Sequence, residues 1–229
     1  MSAKTYCKKT AAFAGWLIQN VPADLDEETM DNWMNNPNGT KKFLSGLKPP
    51  KPTKPVPLFS VVEMIRLGAV AGKLTKQCFT GDRYAYRDSD FDNWLPANQP
   101  NADACVITTL APSRGWTFAK AAATVLGVSA NMPVKTLGEL LIKHGHTITL
   151  SQDEEMVEKT ERGANTGMRT DGWGNFAFVE TGDPENPVSV GDVYRDGRDW
   201  GASVSRLGDD DCCYADFCLL VRNLDTSKL

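Results

Sequence analysis

The residues of this 229-residue chain whose types best suit chemistry lie in its last third. Trp173, Asn175, Arg198, Asp199 and Trp200 stand in a tract that also carries Arg169, Asp171, Arg195 and Asp196. Tryptophan faces stack on ligands, and Asp, Asn and Arg supply directional hydrogen bonds, so the set suits a sugar or a peptide. A structural reading competes with it. Asp171-Gly172 and Asp196-Gly197 are hairpin turn signals, and the tryptophans then anchor the core of a β unit.

Three smaller groups invite chemistry and carry less. His144-Gly-His146 holds both histidines, and an enzyme using either as an acid–base group is one reading. As metal ligands they lack the usual helix-turn spacing and a visible third partner, so no metal is assigned. Cys212-Cys213 and Cys218 sit beside Asp209-Asp-Asp211. Adjacent cysteines do not have knuckle spacing, and nearby carboxylates raise a thiol pKa, the wrong direction for a nucleophile. The Gly208-Asp-Asp-Asp loop lacks the spaced calcium-loop pattern and reads as a solvated acidic turn. No phosphate-cradling loop or Gly-x-Ser-x-Gly elbow is present. No catalytic residue and no cofactor are assigned.

The elements that must position these groups follow from periodicity and punctuation. Residues 5–20 suit a helix, with Phe13, Trp16 and Leu17 on one face, and 26–35 a second, with Met30, Trp33 and Met34. Phe43, Leu44 and Leu47 make a further helical turn. Lys48 to Pro57 holds five prolines and three lysines, an extended strap whose Pro-x-x-Pro spacings also suit a docking partner. The stiff connector is the preferred reading. Ser60 and Glu63 have capping-box spacing and place a helix over Ser60–Leu67. Residues 73–101 read as irregular.

Ala104–Leu110 suits a buried strand, Thr117–Leu126 and Thr136–Lys143 suit helices, and Thr147–Leu150 a strand. Ser151 with Glu154 reads as the cap of a helix ending at Gly163. From Gly167 to Leu224 short aromatic and β-branched runs are cut by Gly, Asp, Asn and Pro, the pattern of antiparallel strands and tight turns.

Composition bounds the function. Hydrophobic content is 41% and charged content 24%, ordinary for a folded chain. A net charge of -4 gives no global field toward nucleic acid or an anionic membrane. No apolar run approaches the roughly 18–20 residues of a membrane span. Lys8-Lys9 before Ala11–Ile18 imitates a signal peptide, but no small-x-small cleavage site follows, so an amphipathic helix in a cytoplasmic protein is expected. Six scattered cysteines then read as reduced thiols.

Asn36-Pro37, Phe43-Leu-Ser-Gly-Leu47, Leu126-Gly127, Arg195-Asp-Gly-Arg-Asp-Trp200 and the closing strand Phe217–Arg222 give the chain a layout. It resembles uncharacterised short proteins of bacterial genomes, especially candidate-phylum bacteria. That resemblance implies no activity, cofactor or catalytic residue. The Phe217-Cys-Leu-Leu-Val-Arg222 ending, with Gly/Trp/Asn-rich loops before it, is also similar to C-type-lectin-like and formylglycine-generating-enzyme-like domains.

The sequence therefore predicts an α+β protein. A helical N-terminal portion, 1–47, and a proline-rich connector, 48–57, precede a mixed domain, 58–229, with a small antiparallel β unit at 167–224. The expected function is a non-enzymatic interaction or structural protein with a protein partner. The alternative is a lectin-like module binding a small polar ligand, a glycan among them, through Trp173, Asn175, Arg198, Asp199 and Trp200. Nucleic acid and membrane are not expected partners.

Overall fold

Phe59-Ser-Val-Val-Glu-Met-Ile-Arg-Leu67 decides the architecture, because it is a strand and not the expected helix. Two adjacent valines and an isoleucine lower helix preference and suit a pleated surface. The Ser60/Glu63 spacing is coincidental: Ser60 Oγ donates instead to the Ala111 carbonyl on the neighbouring strand.

The computed structural model describes residues 56–209, 213 and 215–228, with Glu28, Asp31 and Asn35. The chain divides into two units, Met1–Pro55 and Val56–Leu229. Of the first, the three described residues are helical and exposed, within the helix expected over 26–35. The other expectations for residues 1–55, including most of the proline strap, lie outside the described residues.

The second unit is built on seven strands: β1 (Phe59–Leu67), β2 (Tyr84–Arg87), β3 (Cys105–Pro112), β4 (Asn175–Glu180), β5 (Val188–Asp196), β6 (Asp199–Arg206) and β7 (Cys218–Arg222). They form one sheet in the order β1-β3-β7-β4-β5-β6-β2. This corrects the expected fold class. The strands of residues 175–222 are not a small antiparallel unit apart from the rest; they share a mixed sheet with β1, β2 and β3. Two of its pairings, β4 with β7 and β6 with β2, are parallel. Among residues 56–228 the four helices are central in the chain: α1 (Asp90–Trp94), α2 (Phe118–Leu126), α3 (Val134–Lys143) and α4 (Leu150–Glu161).

Both faces of the sheet are covered in part. On one, α2 and α3 close over Phe59, Leu110, Phe176, Phe178, Val190 and Leu219. Trp116 sits in the middle, edge-on to Phe59, Phe118 and Phe176 at 5.5, 6.0 and 5.6 Å between ring centroids. α2 begins at Thr117, whose side chain accepts from the Lys120 N–H at 3.3 Å. It ends at Gly127 in the left-handed region, a conformation that favours glycine. Its buried face includes Ala121, Ala122 and Ala123. On the other face, Leu150, Met156 and Val157 of α4 pack with Ile107, Val193, Trp200, Ala202 and Leu220.

α4 starts two residues earlier than the sequence pattern suggested. Thr149 Oγ1 accepts from the Gln152 N–H at 3.2 Å, and Gln152 Oε1 accepts from the Thr149 N–H at 3.0 Å. Thr149/Gln152 and Ser151/Glu154 both fit the capping-box pattern, and the first is used. Ile148 contributes only an isolated bridge to Val179, in place of the strand expected over Thr147–Leu150. The 73–101 stretch holds a 3-10 turn (Thr75–Gln77), β2 and α1.

Candidate functional site

The five residues singled out in the sequence do not share one surface. Asn175 is fully buried; its amide donates to the carbonyls of Arg169 and Val193 at 3.0 and 2.9 Å. Its Oδ1 accepts from the Arg169 N–H at 2.6 Å. It thus ties the 169–174 loop to β5. Trp200 is buried beneath α4, and its Nε1–H donates to Glu161 at 3.0 Å. Arg198 and Asp199 are exposed at the β5–β6 turn. There Gly197 has a φ of +63° while Arg198 keeps a negative φ, as the glycine-first hairpin turn requires. Trp173 is 37% exposed and stands edge-on to Phe217 at 5.3 Å. Phe217 in turn packs on Phe176, so Trp173 borders the side of the sheet covered by α2 and α3.

That same side is where a site forms. The apolar cluster beneath α2 and α3 includes residues of β1, β3, β4, β5 and β7 but none of β6 or β2. Alternation along β5 places Asp192 and Tyr194 on this face, beyond Val190. Across the ladder, Asp192 stands opposite Ser203 and Tyr194 opposite Gly201. On the outer side Gly201 pairs with Tyr86 of β2. A Cβ at Gly201 would lie 2.3 Å from Tyr194 Cζ. The tyrosine ring therefore rests on bare backbone, where any side chain would lift it away. Tyr86 beside it is 50% exposed. The result is a shallow platform of two tyrosines, with Ser203 further along β6.

Carboxyls influence it electrostatically. Burial raises the Tyr194 hydroxyl pKa, and Asp192, Tyr86, Asp196 and Asp88 each add to the effect. Asp192 is half-buried, but its Oδ1 is enclosed and has no hydrogen-bond partner among the described residues. Burial pushes its pKa up to about 7, with the Asn175 backbone N–H pulling the other way. The carboxyl is thus partly protonated near neutral pH, able both to donate and to accept.

Neither Asp192, Tyr194 nor Tyr86 was singled out from the sequence. A signal existed: Asp192 and Tyr194 are two apart in a strand, hence on one face, and Gly201 lies across the Asp196-Gly197 turn in register with Tyr194. What could not be read is which half of the sheet the helices leave open.

The other candidates are placed as follows. The rings of His144 and His146 stack at 6.0 Å, and His146 Nδ1 donates to the Arg222 carbonyl at 3.0 Å. Among the described residues no three His, Cys, Asp or Glu side chains could hold a metal ion. Cys78, Cys105, Cys213 and Cys218 are buried, and among the described residues Cys78, Cys105 and Cys218 form no disulfide. Burial pushes Cys78 up to about 12 and Cys218 up to about 11, so neither supplies a thiolate. Cys212, Asp210 and Asp211 lie outside the described residues, while Asp209 accepts from the Arg206 N–H at 2.8 Å.

No protein-family model matches the chain, and neither a curated protein nor a solved structure matches it. Among the described residues no helix is long and apolar enough to cross a membrane.

Proposed function

We propose that this is a non-enzymatic binding protein for polyhydroxylated ligands of the glycan class, held on the open face of β5, β6 and β2. The carrying observation is the Tyr194 ring lying on Gly201 beside Tyr86, with Asp192 and Ser203 next to it. Aromatic faces stack against the C–H faces of sugar rings, and neighbouring carboxyl and hydroxyl groups pair with sugar hydroxyls. A shallow surface suits a chain of sugars more than a single small molecule. This takes up the alternative read from the sequence, a lectin-like module for a small polar ligand, in place of the interaction or structural protein expected first, and it moves the site from Trp173, Asn175, Arg198, Asp199 and Trp200 to the strands β5, β6 and β2.

A glycan array probed with the full chain tests this reading, followed by titration of the strongest binder against Tyr194→Ala and Tyr86→Ala. The expected result is specific binding that weakens about tenfold or more in each variant, the loss typical of a central aromatic contact. A silent array, or tyrosine variants that bind like the parent, would refute it.

A further inference from the structure

A second site lies at the opposite end of the strands. β4 and β7 are parallel, and their carboxyl ends, Glu180 and Arg222, open into a cleft of about 230 Å3. This is space for several waters or a small metabolite. Crevices beyond the carboxyl ends of parallel strands are where open α/β sheets bind ligands, because the loops diverge there and helix N-termini converge. Here the loop leading into α4, Thr147 to Thr149, forms one wall.

Arg222 is the informative residue. Its side chain projects to the α4 side of the sheet, where it and the Gln152 amide contact the Cys105 sulfur. It is half-buried, its Nε is enclosed without an acceptor, and no carboxylate among the described residues lies within 4.0 Å of its nitrogens. A half-buried guanidinium with no carboxylate beside it is suited to pair with an incoming anion through its remaining N–H groups. Glu180 and Asp103 also line the cleft, and Glu180 is oriented by a 2.7 Å hydrogen bond from Thr147 Oγ1. One cation against two carboxylates disfavours a multiply charged anion. It favours a single negative charge accompanied by a hydrogen-bond donor.

We infer that this cleft binds a small carboxylate carrying a donor, hydroxyl or ammonium, on the neighbouring carbon. The carboxylate takes the Arg222 guanidinium and the donor takes Glu180. The site is independent of the tyrosine platform, and either stands if the other fails.

The test is calorimetric titration of the full chain with L-serine, L-lactate, propionate and inorganic phosphate. Serine or lactate is expected to bind, with propionate at least about tenfold weaker for want of the donor, and phosphate not bound. Arg222→Gln is expected to weaken binding roughly thirty-fold or more, as loss of one partner of a buried charge pair does. Arg222→Lys, which keeps charge but not the planar fork, should fall between. Glu180→Gln should bring the amino or hydroxy acid closer to propionate. If Arg222→Gln does not fold, the lysine and Glu180 variants carry the test. Absence of binding by any probe, preference for phosphate, or affinity indifferent to Arg222 and Glu180 would overturn the inference.

Discussion

The carboxyl of Asp192 occupies the space that a side chain at Gly174 would need: a Cβ there would stand 2.3 Å from Oδ1. The 169–174 loop and β5 are thus fitted through a residue without a side chain. Gly174→Ala is expected to displace Asp192 and destabilise the chain by about 1–3 kcal/mol, read as a fall in melting temperature. An unchanged melting temperature would show that the carboxyl has room to move.

The same carboxyl makes stability depend on pH. Asp192 is raised to about 7 in the fold, whereas an unfolded aspartate titrates near 3.9. Between these values the folded chain holds the extra proton, so stability is fully present below the lower value and is lost as pH rises through about 7. The contribution is on the order of 2–4 kcal/mol. Asp192→Asn should flatten the dependence of melting temperature on pH between about pH 4 and 7. A parent protein that gains stability across that range would contradict the assignment.

Asp153 is the more extreme acid. It is fully buried on α4, with Oδ2 3.8 Å from where a Cβ on Gly191 would stand, and neither oxygen has a hydrogen-bond partner among the described residues. Burial raises its pKa well above the usual carboxylate range, with Asp192 and Glu154 adding to it. The sign is the same as for Asp192: stability falls as pH rises. Asp153→Asn, which cannot ionise, should stabilise the fold at pH 8 by about 1–3 kcal/mol and do little at pH 4. A loss of stability at pH 8 would mean that the charged form has a role in the fold.

The two capping-box patterns at the start of α4 can be told apart. Thr149→Ala removes the cap in use and should cost about 0.5–2 kcal/mol. Ser151→Ala removes a buried hydroxyl that makes no standard hydrogen bond and should be close to neutral. Urea melts of the two variants would settle the order.

The tryptophans divide by accessibility. In acrylamide quenching, Trp173→Phe should remove readily quenched emission and Trp200→Phe protected emission. The Trp200 variant should also melt earlier, having lost the hydrogen bond to Glu161. Equal quenching of both losses would undo the separation of surface from core drawn above.

Local signals carried the sequence reading where the structure is local. Thr117 and Gly127 mark the ends of α2, and the strands of the last third fall among the expected turns. The architecture was not legible because its decisive pairings are distant in sequence. β1 needs β3, about 45 residues on, and β3 needs β7, more than 100 residues beyond that. The strand character of Phe59–Leu67 was masked by a chance Ser60/Glu63 match. The site divides in the same way. Trp173 was legible as an aromatic among turn residues. Asp192 and Tyr194 were not, since their faces acquire meaning only once α2 and α3 are known to stop short of β6.

β7 is the last strand of the sheet in chain order, yet it lies between β3 and β4. During synthesis the ribosome therefore delivers six strands before the one that joins them. Until residues 218–222 have emerged, β3 and β4 each present an unpaired edge, and the core on both faces stays open. Nascent chains halted before Cys218 should remain sensitive to protease and dependent on chaperones, and they should become resistant together, across the whole sheet, when that short segment clears the exit tunnel.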